Sequence, residues 1–156
     1  MSEQPTRGVK QRDLITMSPS EVETYLRERH TMTVSTLGRT GDIHSVAMWY
    51  GFLDDGRVAF ETKAKSQKVQ NLRRDPRITC LVDSGDSYPE LRGVELVGTG
   101  EVVADTEGLT MVARSVLERY QGLVSPTAEE ISAMIRNRVA VVINPSRVVS
   151  WDHRKL

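Results

Sequence analysis

Lys63, Lys65, Ser66 and Lys68 crowd the interval between a strand and the first turn of a helix, and their shared chemistry is anion binding. From Thr62 to Arg77 the chain carries six basic residues against one acid, Asp75, although the 21 basic and 21 acidic residues of the whole chain cancel. Ser66 stands where that helix opens. The first N–H groups of a helix lack intrahelical partners and form the positive end of its dipole, so they attract a phosphate. Ammonium groups on the same turn strengthen that attraction. Arg73, Arg74 and Arg77 follow beside apolar Val69 and Leu72 and read as a solvated helix face.

Other chemistries find little support. There is no Gly-x-Ser-x-Gly elbow and no Walker loop. Gly98-Thr99-Gly100 lies inside a strand, with Val103 where a dinucleotide fingerprint needs its third glycine, so it reads as a bulge or bend. His30, His44 and His153 are widely separated, and no metal site is expected. His44 opens a strand as a rim residue and a candidate for substrate contact. The lone Cys80, in the run Ile78-Thr79-Cys80-Leu81-Val82, reads as a buried inert thiol. No acid/base pair stands out, so catalytic side chains remain unassigned, with Tyr50, His44 and solvent as alternative proton donors. Chemistry here must come largely from a bound cofactor or not occur at all. Zero net charge argues against bulk nucleic-acid binding. The polar N-terminus and the lack of any run of about 18 apolar residues predict no signal peptide and no membrane span, hence a cytoplasmic protein.

The elements that must position these residues follow from periodicity and turn chemistry. A chain of 156 residues buries roughly 70% of its extended surface and forms one domain. Residues 1–17 are expected to be a flexible arm, and 18–156 the folded domain. Ser18-Pro19-Ser20-Glu21 is a capping box that starts a helix ending near His30. Alternation predicts strands over 32–37, 43–53 and 58–62, joined by Gly/Asp turns as an antiparallel meander. Further strands are predicted over 78–83 and 92–104, and helices over 106–121 and 127–137, the latter with a second capping box at Thr127. Strands over 139–143 and 147–151 close the pattern around a turn at Asn144-Pro145-Ser146. Antiparallel strands with inserted helices and no βαβ alternation predict a mainly β, α+β fold built on a small barrel.

Several segments carry a family resemblance: Ala47-Met48-Trp49-Tyr50, Glu61 to Lys68, Asn71 to Arg77, Tyr88 to Val94 and Ser150 to Leu156. On these the chain resembles the pyridoxamine 5′-phosphate oxidase-like, FMN-binding split-barrel superfamily. Within it the chain is most similar to the actinobacterial flavin/deazaflavin oxidoreductases of the B group, many of which use coenzyme F420. The resemblance implies an antiparallel split β-barrel with peripheral helices, assembled as a homodimer with two cofactor clefts. It places the cofactor phosphate on Lys68, with Ser66 and Gln67 beside it. Val46, Ala47, Met48 and Trp49 then lie along the ring, Thr62 and Lys63 touch the ring or its sugar-alcohol chain, and Tyr88 and Trp151 close the partner's cleft. The implied activity is hydride transfer from reduced F420 to a small organic acceptor. FMN, and a carrier without turnover, stand as alternatives. Lys63 and Lys65 suit the longer polyanion, F420, because several ammonium groups on one groove attract a carboxylate-rich tail.

Overall fold

The computed structural model describes residues 8–28, 30–122 and 125–156. Its strands are β1 (Met32–Leu37), β2 (Ile43–Met48), β3 (Gly51–Phe52), β4 (Val58–Lys63), β5 (Arg77–Ser84), β6 (Arg92–Val103) and β7 (Arg138–Asp152). The helices are α1 (Gln11–Ile15), α2 (Pro19–Arg27), α3 (Gln67–Arg74), α4 (Thr106–Tyr120) and α5 (Ala128–Ile135), with short 3₁₀ turns at Tyr88–Glu90 and His153–Lys155. All strand pairs are antiparallel, in one sheet of order β2-β1-β5-β6-β7-β4-β3. The sheet curls into the split barrel that the sequence predicts, with helices at its periphery.

The period-2 signal sets which face is inside. In β1, Met32, Val34 and Thr36 are buried while Thr33, Ser35 and Leu37 are half-exposed. Met32 and Val34 join Tyr50, Phe60, Cys80, Val94 and Ile143 in the barrel core. A second core lies where Leu109, Val112 and Val116 of α4 meet Ala59 of β4 and Ala140 and Val142 of β7. Cys80 is fully buried, and burial pushes its thiol up to about 12, consistent with an inert core residue.

Two expectations are corrected. The segment 43–53 is not one strand, and β1 to β4 are not a continuous meander. The strand breaks at Trp49-Tyr50, so that β2 pairs with β1 at one edge of the sheet and β3 with β4 at the other. The cause is Tyr50. Its ring is fully buried, its hydroxyl donates to the Leu26 carbonyl at 2.6 Å, and its own carbonyl accepts from Arg119 Nε at 3.0 Å. A ring drawn inward at that point ends the sheet ladder.

The turn expected at 144–146 is likewise absent as a turn. β7 runs unbroken and bulges, with Val97 facing Arg147 and Gly98 facing Pro145. Proline has no N–H to give the ladder, and a Cβ on Gly98 would stand 2.1 Å from the Asn144 carbonyl oxygen. Glycine on one strand and proline on the other therefore permit the bend. The bulge read from Gly98-Thr99-Gly100 sits on this same feature.

Residues 8–17, within the expected arm, contain α1, and Ile15 and Met17 are buried. The Met17 N–H donates to Ser150 Oγ at 3.0 Å, and Lys155 Nζ donates to the Thr16 carbonyl at 3.0 Å. Residues 1–7 of that arm lie outside the described residues.

Candidate functional site

The strand–helix junction between β4 and α3 gathers the polar residues singled out by the sequence. Thr62 lies one residue before the end of β4 and is buried. Lys68, in the first turn of α3, is 8% exposed, and its Nζ donates to Thr62 Oγ1 at 2.9 Å. Ser66 occupies the N-cap position of α3 without bonding the helix backbone, whereas Ser18, Asp105 and Thr127 accept an N–H at the starts of α2, α4 and α5. The Ser66 hydroxyl is buried and, among the described residues, has no hydrogen-bond partner. The Ser66 hydroxyl at the N-cap position and the Lys68 ammonium in the first turn of the same helix are both donors, and a phosphate oxygen is an acceptor whose chemistry suits both groups.

Behind this cradle stands a half-buried ion pair. Arg138 Nη1 donates to Glu61 Oε2 at 2.7 Å. Burial holds the Lys68 ammonium below the ordinary lysine range, and the Arg138 charge pushes the same way while Glu61 opposes it. Burial raises the Glu61 carboxyl, against the pull of Arg138 and Lys68. A bound anion would oppose that shift by favouring the charged ammonium. Asn71, fully buried, donates to Thr36 Oγ1 at 3.0 Å and accepts from Gln67 Nε2 at 2.8 Å, which anchors α3 to β1.

The lysine loop also meets the α5–β7 junction. Asn137 takes a left-handed conformation with φ 57°, and its carbonyl accepts the Ala64 N–H at 2.9 Å. This contact brings Arg136 and Arg138 against Lys63 and Lys65 around a groove of about 570 Å³. Neither arginine belongs to the basic segment, and β7 lies more than sixty residues further along the chain from it, so the motif gives no sign of them. Only the β4–β7 register, with Lys63 opposite Arg138, joins the two.

The other expected residues lie elsewhere. Val46 and Met48 face inward from β2 and pack on the barrel core, and Ala47 is exposed on the opposite face. Trp49 is 47% exposed and stacks on Tyr120, with ring centroids 4.8 Å apart and planes 4° from parallel. Tyr88 is exposed, meets His153 edge-on at 4.5 Å between centroids, and accepts from Gln11 Nε2 at 2.8 Å. The Trp151 indole covers Gly93, where a Cβ would stand 2.1 Å from its ring. Thr62, Lys63, Ser66, Gln67 and Lys68 thus share one junction. Trp151 stands near the end of β7 opposite to Arg138, so a single chain does not bring it to the cradle. His44 lies on β2 across from Thr36, and its Nδ1 is buried with no hydrogen-bond partner among the described residues.

A split antiparallel barrel with an anion cradle at a strand–helix junction is the architecture of the FMN-binding split barrels. Residues 18–152 match the pyridoxamine 5′-phosphate oxidase family, and the chain belongs to it. Among solved structures it is similar to a conserved hypothetical protein from Mycobacterium tuberculosis, 45% identical over 94% of this chain and 92% of that one, with a TM-score of 0.87. It is also similar to an F420 reductase, 25% identical over 81% of this chain and 94% of that one, with a TM-score of 0.60. A heme storage protein from Vibrio cholerae, 13% identical over 85% of this chain and 94% of that one, shares the fold with a TM-score of 0.65. A search of curated proteins gave no match.

Proposed function

We propose that this protein is a cytoplasmic, homodimeric oxidoreductase that binds coenzyme F420 and acts on a small organic acceptor. The observation that carries the reading is the orphaned Ser66 hydroxyl beside buried Lys68 at the start of α3. Ser66, Gln67 and Lys68 would hold the coenzyme phosphate, with Thr62 orienting the Lys68 ammonium through their hydrogen bond. The four cationic side chains Lys63, Lys65, Arg136 and Arg138 suit a carboxylate-rich tail better than the single phosphate of FMN. The similarity to an F420 reductase supports the same choice.

When bound, the coenzyme supplies hydride transfer to the acceptor. The chain's own contribution is binding, orientation and exclusion of water. Val46, Ala47 and Met48 on the edge strand β2, with Trp49 just beyond it, border the ring, and Lys63 joins Thr62 at the linker. Tyr88 and Trp151 act on the partner's cleft, which accounts for their distance from the cradle of their own chain.

The test is a fluorescence titration of the protein with F420 and with FMN, repeated for Lys68→Ala. The expected result is F420 binding that the substitution weakens by about ten- to a hundredfold, the range for a charge-assisted hydrogen bond. Tight FMN binding with none for F420 would overturn the coenzyme assignment. Binding of reduced F420 with no oxidation by a panel of quinones, enones and tetrapyrroles would convert the reading to a carrier.

A further inference from the structure

A second basic groove lies on α3 and shares no lining residue with the lysine groove. It has a volume of about 650 Å³ and is lined by Arg39 from the β1–β2 turn and by Gln67, Gln70, Arg73 and Arg74 from α3. No carboxylate lines it. The acids close to these residues in sequence are already engaged: Asp75 accepts from Arg77 Nη2 at 2.6 Å, and Asp42 accepts from Thr40 Oγ1 at 3.1 Å. Arg74 is pinned to the β1–β2 turn by donating to the Leu37 carbonyl at 2.7 Å. Among the described residues, neither Arg39 nor Arg73 has an ion-pair partner.

Arg73 and Arg74 taken alone suit the negative C-terminal end of α3, and a solvated face would explain them. Arg39 is not so explained. It comes from a different element, and its charge is brought to the same groove against the repulsion of two others. In a chain of zero net charge, three guanidiniums around one carboxylate-free groove form a concentrated local positive field. Guanidinium forks match the planar geometry of carboxylate and the oxygens of phosphate, and the Gln67 and Gln70 amides can add donors on the same wall.

We propose that Arg39, Arg73 and Arg74 form a second anion-binding site, for a small molecule bearing two or more adjacent phosphate or carboxylate groups. The site borders the Lys68 cradle through Gln67, but its three arginines lie outside that cradle, and its occupancy does not require any particular coenzyme there. Two sources share this chemistry, an acidic group of the reaction's substrate and the far end of a polyanionic coenzyme.

The test uses full-length Lys68→Ala protein, in which the cradle is disabled, titrated with inorganic pyrophosphate and followed by the arginine Nε–H signals in ¹⁵N NMR. Saturable shifts at Arg39, Arg73 and Arg74 are expected, and with Arg39→Ala and Arg73→Ala added the remaining Arg74 signal should report an affinity lower by at least about tenfold. Arg74 is left intact because it braces the turn. Unchanged thermal unfolding of the added variants, together with partial retention of binding by Arg39→Lys/Arg73→Lys, would separate a charge effect from a folding defect. Absence of saturable shifts, or pyrophosphate affinity unaltered by the two alanines, would overturn the site. With Lys68 restored, a loss of affinity in the double variant for tail-bearing but not for tail-free coenzyme would assign the groove to the tail. Affinities for both coenzymes unchanged by the two substitutions would assign it to a separate acidic substrate.

Discussion

A buried lysine that donates to a threonine hydroxyl is a costly arrangement. Lys68 tolerates it through Thr62 Oγ1 and the proximity of Glu61, and its ammonium is held below the usual range. The sign of the pH effect follows. Between the lowered folded value and the ordinary unfolded one, the unfolded chain binds the extra proton, so this residue makes stability rise with pH across that window. Anion binding runs the other way, because it needs the charged form. Coenzyme affinity should therefore fall as pH rises through the depressed value, at lower pH than an ordinary lysine near about 10.4 would give. Fluorescence titration across the alkaline range checks this, and an affinity independent of pH until the ordinary lysine range would contradict it. Ser66 gives a sharper contrast. At capping positions Ser18→Ala and Thr127→Ala should each cost about 1 kcal/mol, read by thermal unfolding. Ser66→Ala should cost the ligand-free protein little or even stabilise it, since it removes a buried hydroxyl that bonds nothing, while weakening phosphate binding.

At the level of elements, the sequence was most readable where a local signal decides the outcome. The capping boxes at Ser18 and Thr127 and the alternation from Met32 to Leu37 appear in the structure as hydrogen bonds and as a buried face. It was least readable where partners are distant in the chain. The break at Trp49-Tyr50 depends on Leu26 and Arg119, and the bulge in β7 depends on Gly98, more than forty residues earlier. The site divides in the same way. Thr62, Ser66 and Lys68 occupy one short segment and could be read together, whereas Glu61 with Arg138, and Arg39 with Arg74, meet only through the fold. The bulge makes its own prediction. Gly98→Ala sets a methyl against backbone that cannot swing aside, and should destabilise the protein by about 1–3 kcal/mol or more in denaturant unfolding. Arg119, which donates to the carbonyls of Leu26, Arg27, Glu28 and Tyr50, closes the end of α2, and Arg119→Met should cost about 2–4 kcal/mol by the same measurement.

For the molecule as a whole, the outer face of the sheet is the surface that a single chain leaves uncovered. Ile43 is 72% exposed there, and with Leu37, Val97 and Pro145 it borders a mostly apolar groove of about 710 Å³. In the proposed homodimer this face is covered by the second copy. Light scattering should then give a dimer, and Ile43→Glu should shift it to monomer without lowering the helix and strand content seen by circular dichroism. A monomer for the unaltered protein would remove the partner roles given to Tyr88 and Trp151. The break at Trp49-Tyr50 has a further consequence. Because β2 and β3 are consecutive in the chain yet terminal in the sheet, a molecule lodged along β2 would act as a clasp at the seam of the barrel. Its arrival should be recorded as slowed amide exchange from Ile43 to Met48, and that segment should be the first to lose protection when the molecule leaves.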